Sequence, residues 1–314
     1  MRHPSQPGRG TMCRRLAFVS ALAILVGACS EADDRGATPT TTSVVVDNAS
    51  SSVESTDAAD PASTTDPAAA PAVTDGEADT SSSAPPASDP TPDHFDTLPV
   101  GSVLPTDAVC ADQVRPADEI KDVNTPFNER RGVVSTDSAP PVVGQPVTGD
   151  FAGTTDEIIQ WTACKWGIDE DIVRAQMAKE TGWRMNFQGD FTPDQANCHV
   201  SVRTADGSEC PEALGISQIR PQYHPKAYVN DNAVVSTAYN LDYAYSVWRS
   251  CYEGLEIWLN DAERGEDYGP GDVWGCVGLW FSGRWHTEAA ETYIDAVQDY
   301  LDDRVWESDD FPDW

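Results

Sequence analysis

Between residues 30 and 105 the chain carries almost nothing that can build a core. The stretch is Ser, Thr, Ala, Pro and Asp, as in TSSSAPPASDPTPD, and aromatic residues are nearly absent. So little apolar surface cannot offset the entropy of ordering a backbone. Arg35 is its only Lys or Arg, against about fourteen acids, so like charges repel along it. The expectation is a disordered tether over 29–105 with a typical span of about 50 Å. Folding is confined to the roughly 200 residues that follow, enough for one domain plus an extension.

What precedes the tether reads as an address. Arg14 and Arg15 lead into LAFVSALAILVGAC, too short for a comfortable membrane span and suited to a signal-peptide core. It closes on Val26-Gly27-Ala28-Cys29, which resembles the lipobox of bacterial lipoproteins. The resemblance implies a signal peptide over 1–28, a lipid on Cys29 and a mature chain anchored to the membrane outside the cytoplasm. An ordinary signal peptide cut nearby and an uncleaved anchor are the alternatives. The formal charge of −32 argues against nucleic acid as partner, because phosphates require a basic surface. It names no protein partner.

Of eight cysteines, Cys13 leaves with the signal peptide and Cys29 is assigned to lipid. Cys110, Cys164, Cys198, Cys210, Cys251 and Cys276 remain. An even set in an exported chain reads as three disulfides, with about 15 connectivities open. The preferred pairing is Cys198–Cys210 across a short polar loop, Cys251–Cys276 between two helical segments, and Cys110–Cys164 from the extension to the first domain helix. No CxxC or CxxH spacing supports a metal site, and no cofactor is indicated.

The domain, placed at 150–306 after an extended segment 106–149 and before a tail 307–314, reads as mainly α. TTDEIIQWTACKW opens on a capping-box pattern, Thr154 to Glu157. Val234, Ala238, Leu241, Tyr245 and Trp248 recur at helical spacing, Asp272 can cap VWGCVGLWF, and Tyr293, Ile294, Val297, Tyr300 and Leu301 mark an amphipathic C-terminal helix. No run of alternating strand residues stands out. In AQMAKETGW, Asp169 reads as the N-cap and Gly182 as the stop of another helix. At about 100° per residue, Ile172, Val173, Ala175 and Met177 share an apolar arc, and Arg174 and Thr181 point away from it. Glu180 falls inside the arc, in the last turn. Desolvation and the helix C-terminus both disfavour its anion, which suits a proton donor with a pKa near about 6. A glutamate paired structurally with an arginine is the plainer reading.

Glu180-Thr181 is followed by Ala213-Leu214-Gly215-Ile216-Ser217-Gln218-Ile219-Arg220-Pro221, then AYNLDYAYSVW, then LWFSG. The order and approximate spacing of these four elements resemble the soluble lytic transglycosylase domain, a lysozyme-like helical fold, over about residues 150–305. In that family Ser stands at Thr181, Met often at Arg220, and Tyr and Asn at Trp280 and Phe281. The longer gap before Gly215 holds Cys198 and Cys210 and reads as a disulfide-closed insertion at the cleft rim. The resemblance implies peptidoglycan glycan strands as substrate. Glu180 protonates the glycosidic oxygen after N-acetylmuramic acid and then, as base, helps close a 1,6-anhydro ring. The substrate's acetamido group takes the place of the second carboxylate that most glycosidases use. Thr181, Gln218, Arg220, Tyr239, Asn240 and Trp280 are the implied substrate-binding set.

Two other readings stay open. Asp190 or Asp194 as a second acid would make a hydrolysing muramidase, although such acids are more often solvated loop residues. A groove that binds glycan without cleaving it would make an envelope module. His199, His224 and His286 are scattered and receive no role.

Overall fold

The computed structural model describes residues 92–132 and 145–311. The signal peptide, Cys29 and the tether up to residue 91 lie outside the described residues, as do 133–144 and 312–314. In chain order the elements are α1 (Asp107–Gln113), α2 (Thr125–Asn128), α3 (Thr155–Trp166), α4 (Glu170–Thr181), β1 (Gln188–Thr192), β2 (Cys210–Leu214), α5 (Asn232–Val235), α6 (Thr237–Tyr252), α7 (Val273–Ser282) and α8 (Glu288–Asp302). The described chain is mainly α-helical. Among the described residues no helix is long and apolar enough to cross a membrane.

Local chemistry sets the helix ends where the sequence places them. Thr154 and Glu157 form the reciprocal capping box of α3. Asp169 accepts from the amides of Asp171 and Ile172 at the start of α4, and Gly182, at φ 59°, stops it. Asp272 accepts from Gly275 N to open α7. These contacts satisfy first-turn amides that the helix itself leaves unbonded.

Packing centres on α6, which contacts α3, α5 and α7, while α4 lies against α3 and α8, and α7 against α8. The spacing of Val234, Ala238, Leu241, Tyr245 and Trp248 predicts one helix with one buried stripe. Val234 instead belongs to α5, because Ser236 is extended and caps α6. All residues of α6 except Val247 are buried, polar ones included. Asp242 and Lys165 are both fully enclosed and pair at 2.8 Å. Asp242 also accepts from Trp166 Nε1 and from the amides of Thr148 and Gly149. Arg249, equally enclosed, donates to the carbonyls of Leu98, Pro99 and Gly167. A buried charge is tolerable only with this degree of pairing.

Several expectations are corrected. The tether does not extend to residue 105: Phe95 and Leu104 are in the core, and backbone bonds join Leu98 N to Gly167 O and Glu170 N to Phe95 O. Segment 106–149 holds two short helices rather than extended chain alone. The tail is seated too, with Phe311 edge-on to Trp183 and under Lys121 Nζ. Arg174 does not face solvent. It is buried among Asp156, Glu170 and Asp171, because the N-terminal segment and the tail cover that side of α4. Thr181 is buried as well.

A strand pair also appears that the residue pattern does not show. β1 and β2 run antiparallel with Gln188 opposite Leu214 and Thr192 opposite Cys210. Their connecting excursion is closed by Cys198–Cys210, and Cys110–Cys164 and Cys251–Cys276 complete the three disulfides in the preferred pairing.

Asp242→Ala leaves enclosed Lys165 with Asp107 as its remaining carboxylate partner, and leaves two loop amides and Trp166 Nε1 without an acceptor. We expect a loss of about 3–5 kcal/mol in equilibrium unfolding, the range for a broken buried pair. A loss under about 1 kcal/mol would show that α6 does not depend on this contact.

Candidate active site

The last turn of α4 brings Glu180 to the face of α8, where Tyr293 is 5 % exposed and donates its hydroxyl proton to Glu180 Oε1. One turn earlier on α4, Gln176 donates from Nε2 to Tyr293 Oη at 3.3 Å. Its Oε1 accepts from Tyr245 OH of α6 at 2.9 Å. The hydrogen bonds run in one direction, from α6 through α4 and α8 to the carboxylate. Phe281 of α7 stacks on Tyr293, centroids 4.7 Å apart and planes 3° apart, and is itself 59 % exposed.

Glu180 is half-buried by surface, yet protein crowds its carboxyl on most sides, and its pKa is raised to about 7. Desolvation is the largest cause. The Tyr293 hydrogen bond opposes it, followed by the Lys179 charge; Asp190 adds to the rise and Arg220 subtracts from it. The direction agrees with a carboxyl on the inner arc of its helix. The extent exceeds the sequence-based expectation of about 6.

The loop 214–219 forms the neighbouring wall. Leu214 and Ile219 exchange backbone bonds across it, and Gln218 N donates to Gly215 O, giving a tight turn. Gly215 is at φ +81°, and a Cβ there would lie 2.2 Å from Asn240 Nδ2, so the turn needs glycine for both conformation and space. Asn240 holds the turn onto α6: its Oδ1 accepts from Ser217 N and Oγ, and its Nδ2 donates to Ala233 O. Gln218, at φ 53°, folds its amide back onto Gly215 O at 2.8 Å, with Oε1 against Gly189.

The six residues proposed to bind substrate therefore divide. Gln218, Arg220 and Trp280 keep partial exposure around Glu180's wall. Arg220 pairs with Asp190 on β1 and with Glu212 at 3.2 Å. Trp280 donates from Nε1 to Ser217 O at 2.9 Å and stacks on His224. Thr181, Tyr239 and Asn240 are fully buried. Thr181 Oγ1 donates to Ile216 O and accepts from Arg184 N, and Tyr239 packs against Gly132 and Gly149, so these three hold backbone in place rather than present groups to a ligand. Of the two extra acids, Asp190 is close enough to act on Glu180, while Asp194 is spent capping a 3-10 turn through Ala196 N.

Tyr293, Gln176 and Tyr245 carry no motif that marks them as site residues. Tyr293 and Tyr245 sit at helical spacing and read as core. Gln176, four residues before Glu180 and on the same face, was the available signal. His224, given no role, is held neutral by burial, its pKa lowered to about 4.

A depression of about 470 Å³ lies elsewhere and includes His94, Arg115, Glu170, Arg174 and Trp306. None of Glu180's partners lines it, and its Arg115, Arg174 and Arg304 are paired with Glu170 and Asp171. Clusters with metal-ligand spacing among the described residues are His94 with Glu170 and Asp171, and His94 with Asp96 and Asp169. Glu170 is already claimed by Arg115 and Arg174, which a cation would have to displace. Comparison with known proteins found no matching family model, curated protein or solved structure.

Glu180 binds its proton more tightly folded, near pH 7, than at its ordinary value of 4.5. Its favourable linkage is thus fully present below about 4.5 and is lost as pH rises through about 7. Glu180→Gln keeps the neutral shape at every pH. Denaturant unfolding should find the variant and the parent alike near pH 4, and the variant more stable by about 1–3 kcal/mol at pH 8. A difference independent of pH would contradict the raised pKa.

Proposed function

We propose that the chain is a peptidoglycan lytic transglycosylase of lysozyme-like fold, held in the bacterial envelope by lipid on Cys29. The observation that carries this reading is Glu180: a carboxyl kept protonated near neutrality by desolvation, at the end of a helix and with one oxygen oriented by Tyr293. The order of the four sequence elements supplies the substrate class.

In this reading glycan lies along the wall formed by loop 214–219 and α7, against Gln218, Arg220, Trp280 and exposed Phe281. Aromatic faces suit pyranose rings. Glu180 protonates the leaving oxygen while the substrate acetamido group stabilises the oxocarbenium centre. The resulting carboxylate, which Tyr293 hydrogen-bonds, then takes the 6-hydroxyl proton as the anhydro ring closes. A pKa near the working pH lets one group give and recover a proton.

Hydrolytic cleavage is favoured by one specific observation. Asp190 stands on β1, close enough to influence Glu180, and pairs with Arg220. That is where a second acid would act on water or on the sugar.

The test is turnover of purified sacculi by the full-length protein. Glu180→Gln should reduce the rate about 10²–10⁴-fold without loss of fold. Retention of more than about a tenth of the rate would remove Glu180 from the chemistry. Asp190→Asn should keep most of the activity; its abolition in a folded protein would favour the hydrolase. No turnover by the parent protein would favour a glycan-binding module. The starting acid must be protonated, so the rate should fall as pH rises through about 7. A rate that climbs through that range would assign Glu180 the wrong starting state.

A further inference from the structure

We infer that Gln176, locked by Tyr245, is a positioning residue that commits the single hydroxyl proton of Tyr293 to Glu180 Oε1 and so leaves the transferable proton of Glu180 on Oε2. The inference deepens the acid–base role proposed for Glu180 and rests on it.

The argument is a count of donors and acceptors. Tyr245 is 2 % exposed, and the hydrogen bond its hydroxyl donates goes to Gln176 Oε1 at 2.9 Å. A primary amide has one carbonyl end and one NH₂ end. With the carbonyl held by Tyr245, the NH₂ end faces Tyr293, and Tyr293 Oη accepts from it. Tyr293 has one proton, and Gln176 offers it no acceptor. That proton goes to Glu180 Oε1. An oxygen receiving a buried donor is a poor place for a second proton, so Glu180 protonates on Oε2, which has no hydrogen-bond partner among the described residues.

Every member of the chain is enclosed: Gln176 and Tyr245 are each 2 % exposed and Tyr293 5 %. Bulk water therefore cannot reset the hydroxyl directions, and bonds in such a chain polarise one another. The groups that face Glu180 come from every element packed around it. They are Lys179 on α4, Asp190 on β1, Arg220 beyond β2, Tyr293 on α8, and Tyr245 on α6 at longer range. Tyr293 is the one that donates a hydrogen bond to the carboxyl, which makes its hydroxyl direction the adjustable element.

Tyr245→Phe removes one oxygen that does not touch Glu180. Gln176 is then free to turn its carbonyl toward Tyr293 and draw the hydroxyl proton away. The carboxylate loses a donor, and its proton affinity rises. The experiment follows the side-chain carboxyl carbon of Glu180 by NMR titration of the full-length protein, with Glu180→Gln identifying the signal. Tyr245→Phe should raise the proton affinity about three- to ten-fold, the worth of one hydrogen bond. In a Tyr293→Phe background the same substitution should change it less than about two-fold, since the chain is already cut. An unchanged affinity in the single variant overturns the inference, as does an equal shift in both backgrounds, which a packing disturbance would give. If Tyr245→Phe does not fold, Gln176→Met decides by the same comparison. The titration needs no turnover, so failure of the proposed reaction and failure of the relay are read separately.

Discussion

In a helix enclosed on nearly all sides, a charged or amide side chain without a protein partner is costly, because water cannot serve it. Among the enclosed polar side chains of α6 are Asn240, Asp242, Tyr245 and Arg249, each at most 2 % exposed. Each answers to a different part of the chain. Asn240 fixes the turn 214–219, Asp242 fixes Lys165 and the loop at 148–149, Tyr245 fixes Gln176 on α4, and Arg249 fixes residues 98–99 and the end of α3. Left unpaired, any one of them would cost several kcal/mol of roughly 5–15 available to a domain. The elements gathered around α6 are therefore held to particular registers, which apolar packing alone specifies less sharply.

The surroundings of Glu180 inherit that precision. The turn beside it is set by Asn240 and Gly215, and the direction of Tyr293's hydroxyl by Gln176 and Tyr245. Two opposing effects then act on one carboxyl. Desolvation holds the proton and the Tyr293 hydroxyl helps release it, which leaves the group near pH 7 rather than locked in either form. That balance is what the proposed role, donor first and base later, would require. Charged neighbours contribute less and partly cancel, since Asp190 and Arg220 pair with each other.

What could be read from the residues follows from how local each signal is. Caps at Thr154, Asp169 and Asp272, the stop at Gly182, and the short Cys198–Cys210 closure depend on neighbours a few positions away, and they were legible. Glu180's inward direction follows from helix periodicity alone. Arg174 was placed on the solvent side by the same periodicity, because the cover supplied by residues 92–118 and the tail is invisible to it. The strand pair went unread because β1, QGDFT, and β2, CPEAL, lack alternation and are set by pairing with each other. Tyr293 and Tyr245 looked like core residues since a tyrosine packs its ring and presents its hydroxyl at once. Asn240 was expected to meet substrate, and its burial against Ser217 shows a polar motif residue serving the backbone instead.

The central claim is that one carboxyl, and no water, completes the cleavage. Mass spectrometry of the glycan released from sacculi by the full-length protein tests it most directly. The account predicts muropeptides lighter by one water than their hydrolysed counterparts, with no label taken up from isotopically labelled water. Reducing ends that carry the label would contradict it and assign the second half of the reaction to water and Asp190.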